Sequence, residues 1–437
     1  MSRAPHFDPE KLARSTGGRW TAAPGGPIAG FATDTRELGR GQMFVALKTE
    51  KRDGHAFLSA ARAAGASAAL VAAADPGVDL AQLVVPDPLA AFQAIAAAHR
   101  RLFPGPVIAI SGSAGKTSTK NLLALLLDPA VTLATEGNLN NHLGVPLTLT
   151  RLDPAVHRYA VVEAGISAPG EMAALAAMID PDMTLITLVA PAHLAELGGI
   201  DGVAREKAVL AAMVRPGGVA IFPRSCAEFA AFRGLKVKTE VVSFTAVHDR
   251  EETRVTLPAG GTFTLRRVSD GMAQNAALAL TAALRLGLSP DEIQRRLTQW
   301  RPAPLRGELR RENGRLLYLD CYNANPASMG DALAAFCAIA PPEDPRLFVL
   351  GCMEELGAEA PRFHRELGRS LPLRPGDFLF ITGENAAPVR EGALENGGRA
   401  AQIAVVEGLG GVKERLAAFR GSVFVKGSRR YQLERIL

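Results

Sequence analysis

The stretch VIAISGSAGKTSTKNLLALLL, residues 107–127, decides how the central part of the chain folds. Val107 to Ile110 form a short apolar run typical of a buried strand, and Asn121 to Leu127 are typical of the helix that follows. Gly112 and Gly115 lie between the two elements. Glycine permits backbone turns that a side chain would block, so amide N–H groups can point inward at an anion.

Two polar side chains follow the second glycine of this stretch. Lys116 adds a positive charge, and Thr117 adds a hydroxyl suited to Mg²⁺, at a helix N-terminus that itself attracts anions. The stretch therefore predicts a phosphate-binding loop made of Gly112, Ser113, Ala114, Gly115, Lys116, Thr117 and Ser118. Its spacing is not that of the standard P-loop, because Ile110 stands where the first glycine would be. The alternative is a Gly-Ser turn with an exposed lysine.

Length and composition set limits on the fold and the function. A chain of 437 residues with 48% apolar residues predicts about three domains with full cores. Apolar runs do not reach the roughly 20 residues of a membrane span, and the N-terminus has no hydrophobic signal core, so we expect a cytoplasmic protein without a membrane span. The net charge of +5 is spread along the chain without a basic stripe, which argues against nucleic acid as a partner.

The four cysteines, Cys226, Cys321, Cys337 and Cys352, show no CxxC spacing. This distribution predicts reduced thiols rather than a disulfide framework or a cysteine-based metal site.

Alternating strand and helix patterns predict an α/β chain of three domains, residues 1–85, 86–303 and 304–437. A helical connector bounded by prolines follows the first domain. The second domain alternates strands and helices from Val107 onward, which predicts a parallel sheet with crossover helices. Within it, residues 241–267 predict an antiparallel excursion and residues 275–300 a helix pair. The third domain resembles a second doubly wound sheet.

Three further side chains of the central domain suit a metal and phosphate site. Glu163 ends an apolar strand, and ligands of open α/β sheets bind beyond the carboxyl ends of strands. His193 follows another apolar strand, and Lys207 lies on the next helix. Each has an ordinary alternative: a loop carboxylate for Glu163, a structural histidine for His193 and a solvated helix lysine for Lys207.

The order of several motifs carries a resemblance over nearly the whole chain. The motifs are TDTRELGRGQMFVALKTEKRDGHAF, SGSAGKTSTK, EGNLNNHLGVPLTL, VVEAGISAPGEM, PAHLAELGGIDGVAREK, PLRGEL, DCYNANPASM, LGCMEELGAEAPRFH and VKGSRRYQLE. In this order they resemble the Mur ligase family, most closely its D-alanyl-D-alanine-adding members. The phosphate loop alone indicates a wider class of ATP-dependent ligases, whereas NLNN, YNANP and VKGSR together point to that branch.

The resemblance implies a three-domain architecture: an N-terminal UDP-sugar-binding domain, a central ATP-binding domain with a P-loop ATPase-like parallel sheet, and a Rossmann-like C-terminal domain. It implies an ATP-dependent amide ligase of peptidoglycan precursor synthesis, monomeric, whose substrates are UDP-N-acetylmuramoyl-tripeptide and D-Ala-D-Ala. The reaction would pass through an acyl phosphate, because a carboxylate at neutral pH is a poor electrophile. Such chemistry depends on positioning and charge neutralisation.

The resemblance also implies roles for the central residues. Lys116 would contact the β- and γ-phosphates, Thr117 and Glu163 would hold a first Mg²⁺, and His193 and Lys207 would help to hold a second. A cationic lysine cannot bind a metal ion. In this family the matching lysine is N-carbamoylated, which requires that burial or nearby cations lower its pKa.

Further residues match family positions around the substrates. ATP-side positions near the adenine, the phosphates and the ribose are Asn275, Arg306 and Asp320 respectively. Positions on the incoming dipeptide are Tyr322, Asn323 and Asn325. Positions on the uridine side are Thr35 and Arg36, and on the muramoyl side Asn138, Asn140 and Asn141. Taken without the resemblance, these residues are equally consistent with turns and solvated loops.

The chain departs from the family pattern at a few positions. Gly271-Met272 stand where His-Asn is expected, Leu319 where an acid is expected, Cys352 where aspartate is usual and Val209 where glutamate is common. These departures leave two alternatives open: a related Mur-type ligase acting on another carboxylate, such as the folate or tetrapyrrole relatives, and a catalytically weak paralogue that binds ligands or partners.

Overall fold

The computed structural model describes residues 6–437, so the first five residues of the predicted N-terminal domain lie outside the described part. Strands in this part form four β-sheets, which occupy residues 19–84, 107–242, 245–266 and 308–426 in turn. Each strand ladder described lies within one of these ranges. The domain boundaries at residues 85/86 and 303/304 stay predictions.

The N-terminal sheet has the strand order β1-β5-β4-β3-β2, with β1 antiparallel to β5 and the remaining pairs parallel. Its elements are α1 (Pro9–Thr16), β1 (Arg19–Trp20), β2 (Phe31–Ala32), β3 (Met43–Val45), α2 (Leu58–Ala63), β4 (Ala68–Val71) and β5 (Ala81–Val84). Helix α3 (Pro88–Arg101) is the predicted connector. It packs Phe92 and Ile95 into the N-terminal core and Ala96 into the central core, so the two cores share this helix.

The central sheet is wholly parallel, in the order β11-β10-β9-β6-β8-β7. Its strands are β6 (Val107–Ser111), β7 (Thr132–Ala134), β8 (Tyr159–Glu163), β9 (Met183–Ile186), β10 (Val219–Pro223) and β11 (Thr239–Val242). Residues of β6 alternate between two cores, Val107 and Ala109 on one face and Ile108 and Ile110 on the other. A sheet buried on both faces explains why its strands read as continuous apolar runs.

Helices cover both faces of the central sheet. They are α4 (Lys116–Leu126), α5 (Gly144–Leu149), α6 (Glu171–Ile179), α7 (Leu194–Leu197), α8 (Ile200–Ala212), α9 (Arg224–Ala227), α10 (Ala230–Arg233), α11 (Asp270–Arg285) and α12 (Pro290–Leu297). Between α10 and α11 the antiparallel excursion consists of β12 (Thr245–His248), β13 (Glu252–Leu257) and β14 (Gly261–Arg266). It is shorter than expected, because Val241 and Val242 extend the parallel sheet as part of β11.

The C-terminal sheet has the order β15-β16-β20-β17-β18-β19, parallel except for the antiparallel edge strand β15. Its elements are β15 (Glu308–Glu312), β16 (Arg315–Asp320), α13 (Pro326–Ile339), β17 (Arg346–Gly351), α14 (Ala360–Ser370), β18 (Phe378–Thr382), α15 (Ala386–Glu395), β19 (Ile403–Val405), α16 (Gly410–Ala418) and β20 (Ser422–Lys426). The sequence patterns missed the two edge strands, since β15 reads Glu-Leu-Arg-Arg-Glu and β19 has only three residues.

A buried ion pair joins two strands of this sheet. Asp377 is fully buried just before β18, and it accepts hydrogen bonds from Nε (3.0 Å) and Nη2 (2.6 Å) of Arg346 at the start of β17. The same carboxylate also accepts the backbone N–H groups of Arg346 (2.9 Å) and Arg374 (2.8 Å).

We expect Asp377→Ala to destabilise the C-terminal sheet by about 3–5 kcal/mol, because it leaves the Arg346 guanidinium buried without its counter-ion. Hydrogen exchange at the β17 and β18 amides should accelerate by about a hundredfold or more. Glu359→Ala is the control, since it breaks the solvent-exposed pair with Arg362 and should leave exchange unchanged. Equal exchange in both variants would contradict this role of Asp377.

Candidate active site

The predicted phosphate loop lies between β6 and α4. The helix begins at Lys116, five residues before the predicted start, so Lys116 and Thr117 belong to its first turn. Gly112 and Gly115 have positive φ angles of 154° and 81°. A Cβ at Gly112 would lie 1.9 Å from Thr187 Oγ1, and one at Gly115 would lie 2.4 Å from Asn275 Nδ2. These two positions therefore require glycine, both for conformation and for space.

The metal-ligand candidates Thr117 and Glu163 contact each other at this loop. Glu163 ends β8, the neighbour of β6, and is 1% exposed. Its carboxylate accepts hydrogen bonds from Thr117 Oγ1 (2.9 Å) and Asn140 Nδ2 (2.8 Å). Lys116 donates to the carbonyl oxygen of Gly112 (2.8 Å). Burial lowers the pKa of Lys116, with Arg306 acting in the same direction and Glu163 opposing them.

A cavity of about 270 Å³ opens beside this loop, between the central and the C-terminal sheets. It brings together most of the predicted site residues. Those that line it are Ser113, Ala114, Gly115, Lys116, Thr117, Ser118, Asn138, Asn140, Glu163, Asn275, Arg306, Asp320, Tyr322, Asn323 and Asn325. Other predicted residues do not line it, namely Gly112, His193, Lys207, Thr35, Arg36 and Asn141.

The C-terminal side of the cavity is held against the phosphate loop. Asn325 caps α13 and donates from Nδ2 to the carbonyl oxygen of Ser113 (3.0 Å). The guanidinium of Arg306 lies 4.0 Å from the ring centroid of Tyr322, a cation–π contact. Residues from both sheets therefore form one site.

Two charged residues of this cavity were given no role from the sequence, although Lys426 lies in the VKGSR motif. Lys426, 1% exposed at the end of β20, donates to Asp320 Oδ2 (2.6 Å). Asp331 on α13 accepts the backbone N–H of Gly271 (2.8 Å), and burial raises the pKa of its carboxyl. The signal for Lys426 was its place at the carboxyl end of a parallel strand. Asp331 carried no such signal, because its partner Gly271 lies 60 residues earlier in the chain, in α11.

Lys207 is not a solvated helix residue. It is 5% exposed on α8, and burial together with the nearby Lys116 lowers its pKa from 10.5 to about 7. Burial therefore favours the neutral amine, which N-carbamoylation requires.

His193 caps the short helix α7 in a left-handed conformation, with φ at 52°. Its Nδ1 lies 2.7 Å from Glu355 Oε2, which belongs to the C-terminal domain. This close contact with His193 holds the pKa of the Glu355 carboxyl below its usual range. No hydrogen bond between His193 and Lys207 occurs in the part of the chain that the structure describes.

Three predicted substrate residues lie outside the cavity, and two of them have local partners. Arg36 forms an exposed ion pair with Asp34, and Thr35 lies between the two in the same turn. Asn141 Oδ1 accepts the backbone N–H groups of Leu143 (3.1 Å) and Gly144 (2.9 Å), where α5 begins. Contacts of these residues with a substrate stay predictions.

Most departures from the family pattern pack into cores. Leu319 and Cys352 are buried in the two cores of the C-terminal sheet, and Val209 packs against one core of the central sheet. Gly271 differs, since a Cβ there would lie 2.6 Å from Asp331 Oδ2, so a side chain at this position would displace that carboxylate.

Comparison with known proteins identifies the family. The chain matches the Mur ligase middle domain over residues 110–281 and the domain described as "Mur ligase, glutamate ligase domain" over residues 305–429. The UDP-N-acetylmuramoyl-tripeptide–D-alanyl-D-alanine ligase of Escherichia coli K12 is 35% identical over 371 residues, 81% of each chain. The chain belongs to the Mur ligase family.

Solved structures agree with this assignment. A crystal structure of MurF from Acinetobacter baumannii is 30% identical and superposes on this Mur ligase with a TM-score of 0.87, covering 100% of this chain and 98% of that one. MurF from Thermotoga maritima, solved in complex with ADP, is 24% identical with a TM-score of 0.81, covering 93% and 96%. The α/β fold and the three-domain architecture expected from the resemblance are confirmed.

The donor groups of this Mur ligase fit a magnesium ion that arrives with a nucleotide. Mg²⁺ prefers oxygen ligands and is usually held by one or two carboxylates together with substrate phosphates. Thr117 and Glu163 supply a hydroxyl and a carboxylate beside the phosphate loop. Among residues 6–437, no three His, Cys, Asp or Glu side chains form a metal-binding group. The site therefore lacks the features of a dedicated protein cage.

Over residues 6–437, no helix is long and apolar enough to cross a membrane.

We expect Gly115→Ala to weaken ADP binding roughly tenfold or more, measured by isothermal titration calorimetry, because the new Cβ displaces Asn275 as well as straining the backbone. Gly287→Ala is the matched control: its φ is also positive, at 90°, but a Cβ there meets nothing within 4 Å. If both variants bind ADP like the parent protein, the loop does not bind the nucleotide as we describe.

Proposed function

We propose that the chain is an ATP-dependent amide ligase that joins the terminal carboxylate of UDP-N-acetylmuramoyl-tripeptide to the amino group of D-Ala-D-Ala, in the cytoplasm. One observation supports the assignment of ATP-dependent ligase chemistry. The phosphate loop, the Thr117–Glu163 pair and Asn325 meet in one cavity between two domains. The substrates follow from the relative in Escherichia coli, whose name gives them.

The first half-reaction needs cations around the phosphates. Transfer of the γ-phosphoryl group from ATP to the substrate carboxylate forms an acyl phosphate and ADP, and it brings two negatively charged reactants together at the loop. Lys116 and Arg306 both line this cavity, and they are close enough for the charge of Arg306 to lower the pKa of Lys116. We assign both cations to the phosphates. Mg²⁺ held by Thr117 and Glu163 would neutralise further phosphate charge.

The second half-reaction needs the C-terminal domain. The amine attacks the acyl carbon, a tetrahedral intermediate forms and inorganic phosphate leaves, so the chain must hold the dipeptide close to the carboxylate. Tyr322, Asn323 and Asn325 lie on the C-terminal wall of the cavity, and Asn325 contacts the phosphate loop directly. We assign these three residues to the dipeptide.

Phosphate release tests the proposal. With ATP and Mg²⁺, the protein should release phosphate only when UDP-N-acetylmuramoyl-tripeptide and D-Ala-D-Ala are both present. Lys116→Ala should lower this rate roughly a hundredfold, the scale of one lost electrostatic contact. Turnover only with a different acid would replace the substrate assignment, and no turnover with any acid would favour the ligand-binding paralogue.

We infer that Lys207 is N-carbamoylated and helps His193 to hold a second Mg²⁺, since its burial and its lowered pKa suit that modification. Lys207→Ala should then lose roughly a hundredfold in turnover, and short carboxylates such as acetate should restore part of it. Lys207→Arg should fail equally, because a guanidinium stays cationic and repels the metal.

The control for Lys207 is Arg205→Ala, which changes an exposed residue of the same helix and should leave turnover unchanged. Normal turnover in Lys207→Arg would refute the carbamate.

A further inference from the structure

One part of the cavity has no role in the proposed reaction. It lies between the start of α11 and helix α13 of the C-terminal domain, where Gly271 and Asp331 both line the cavity. Gly271 is one helical turn from Asn275, about 6 Å along the axis of α11 and on the same face. Asn275 contacts Gly115 of the phosphate loop and is the residue predicted on the adenine side. The base of a nucleotide bound at the loop would therefore lie near Gly271.

The carboxylate of Asp331 occupies the space that Gly271 leaves. Its Oδ1 accepts the backbone N–H of Gly271 (2.8 Å), and a Cβ at Gly271 would lie 2.6 Å from its Oδ2. The family pattern has His-Asn where this chain has Gly271-Met272. A side chain at position 271 and the present position of Asp331 exclude each other, so this departure and the Asp331 carboxylate belong together.

Asp331 keeps acceptor capacity for a ligand. Burial raises the pKa of its carboxyl, and the N–H of Gly271 and the nearby hydroxyl of Ser269 oppose that shift. An ionised carboxylate offers about four acceptor positions on two oxygens. Two donors therefore leave room for a third, which would come from a molecule in the cavity.

Tyr318 adds an unpartnered hydroxyl to the same region. It is 4% exposed, lines the cavity, and packs its ring against Phe336 and Phe424, with centroid distances of 6.2 Å and 5.7 Å. Its hydroxyl makes no hydrogen bond to any other residue between 6 and 437. Burial raises the pKa of Tyr318, and the charges of Asp320 and Asp331 add to this effect, so the hydroxyl stays protonated. Because buried polar groups are usually hydrogen-bonded, this hydroxyl indicates a ligand partner.

An acceptor beside a donor suits adenine better than a 6-oxopurine. The 6-amino group of adenine donates hydrogen bonds, whereas O6 of guanine or hypoxanthine accepts them. A carboxylate attracts the amino group and repels the carbonyl oxygen, and a tyrosine hydroxyl can donate to a ring nitrogen. Met272, Trp300 and Leu309 also line the cavity and give it the apolar surface that a base requires.

We propose that Asp331 determines the base specificity of the nucleotide site: its carboxylate accepts the 6-amino group of adenine and excludes 6-oxopurines, while Tyr318 donates to a ring nitrogen. The inference rests on the proposed function, in which ATP binds in this cavity. Asp331 thereby supplies a base contact from the C-terminal domain at the place where the chain lacks the expected His-Asn pair.

The test compares the binding of ADP and of inosine diphosphate (IDP) by isothermal titration calorimetry. Asp331→Asn keeps the size of the side chain and an acceptor oxygen for the N–H of Gly271, but its amide N–H₂ replaces Oδ2. Tyr318→Phe removes only the hydroxyl. Asp270→Asn is the matched control, because Asp270 is a neighbouring exposed carboxylate that contacts His248 (2.7 Å) and does not line the cavity.

We expect the parent protein to bind ADP roughly tenfold or more tightly than IDP. Asp331→Asn should abolish or invert this preference, because its amide group donates to O6. Tyr318→Phe should weaken ADP binding several-fold, and Asp270→Asn should match the parent protein. A residue that only docks the C-terminal domain on α11 would change both affinities in proportion. An unchanged ratio of the two affinities in Asp331→Asn therefore overturns the proposal, as does a parent protein without a preference.

Failure of the proposed substrates is distinguishable from failure of this inference. A protein that shows the expected base preference, but releases no phosphate with the tripeptide and dipeptide, supports the role of Asp331 and contradicts only the substrates. A protein that binds neither nucleotide contradicts both.

Discussion

The close contact between the phosphate loop and helix α11 is the constraint on which the rest of the site depends. Gly115 packs so tightly against Asn275 that a Cβ would lie 2.4 Å from the amide, and Gly112 meets Thr187 in the same way. These contacts fix the turn between β6 and α4, which places Lys116 and Thr117 in the first turn of the helix. Thr117 can then reach Glu163 at the end of the neighbouring strand, so one backbone turn positions both the candidate anion-binding and the candidate metal-binding groups.

The C-terminal domain completes this site through three separate contacts. Asn325 donates to the carbonyl oxygen of Ser113 in the phosphate loop, Asp331 accepts the N–H of Gly271 at the start of α11, and Glu355 Oε2 lies 2.7 Å from His193 Nδ1. Each contact joins a C-terminal side chain to a residue near the phosphate or metal site. A ligase that joins two substrates needs such contacts, because the rate depends on the geometry of the reacting groups.

Much of the site was predictable because its signals are local. The glycines, Lys116 and Thr117 lie within six residues of one another, and Glu163 marks a strand end where ligands of parallel sheets bind. The edge strand β15 was not predictable, because its polar sequence forms a strand only through pairing with β16. Glu355, Asp331 and Lys426 were given no role from the sequence for a similar reason: their partners are 162, 60 and 106 residues distant, and only tertiary packing brings them together. The resemblance placed His193 and Lys207, and the carbamate it implies requires the lowered pKa that burial and the nearby Lys116 give Lys207.

The central claim, that the cavity activates a carboxylate by phosphorylation, can be tested directly by isotope transfer. UDP-N-acetylmuramoyl-tripeptide carrying ¹⁸O in its reacting carboxylate would be incubated with ATP, Mg²⁺, D-Ala-D-Ala and the protein, and the released phosphate analysed by mass spectrometry. An acyl phosphate leaves one carboxylate oxygen on the phosphate, so the account predicts one ¹⁸O atom per phosphate from fully labelled substrate. Amide product accompanied by unlabelled phosphate would contradict it.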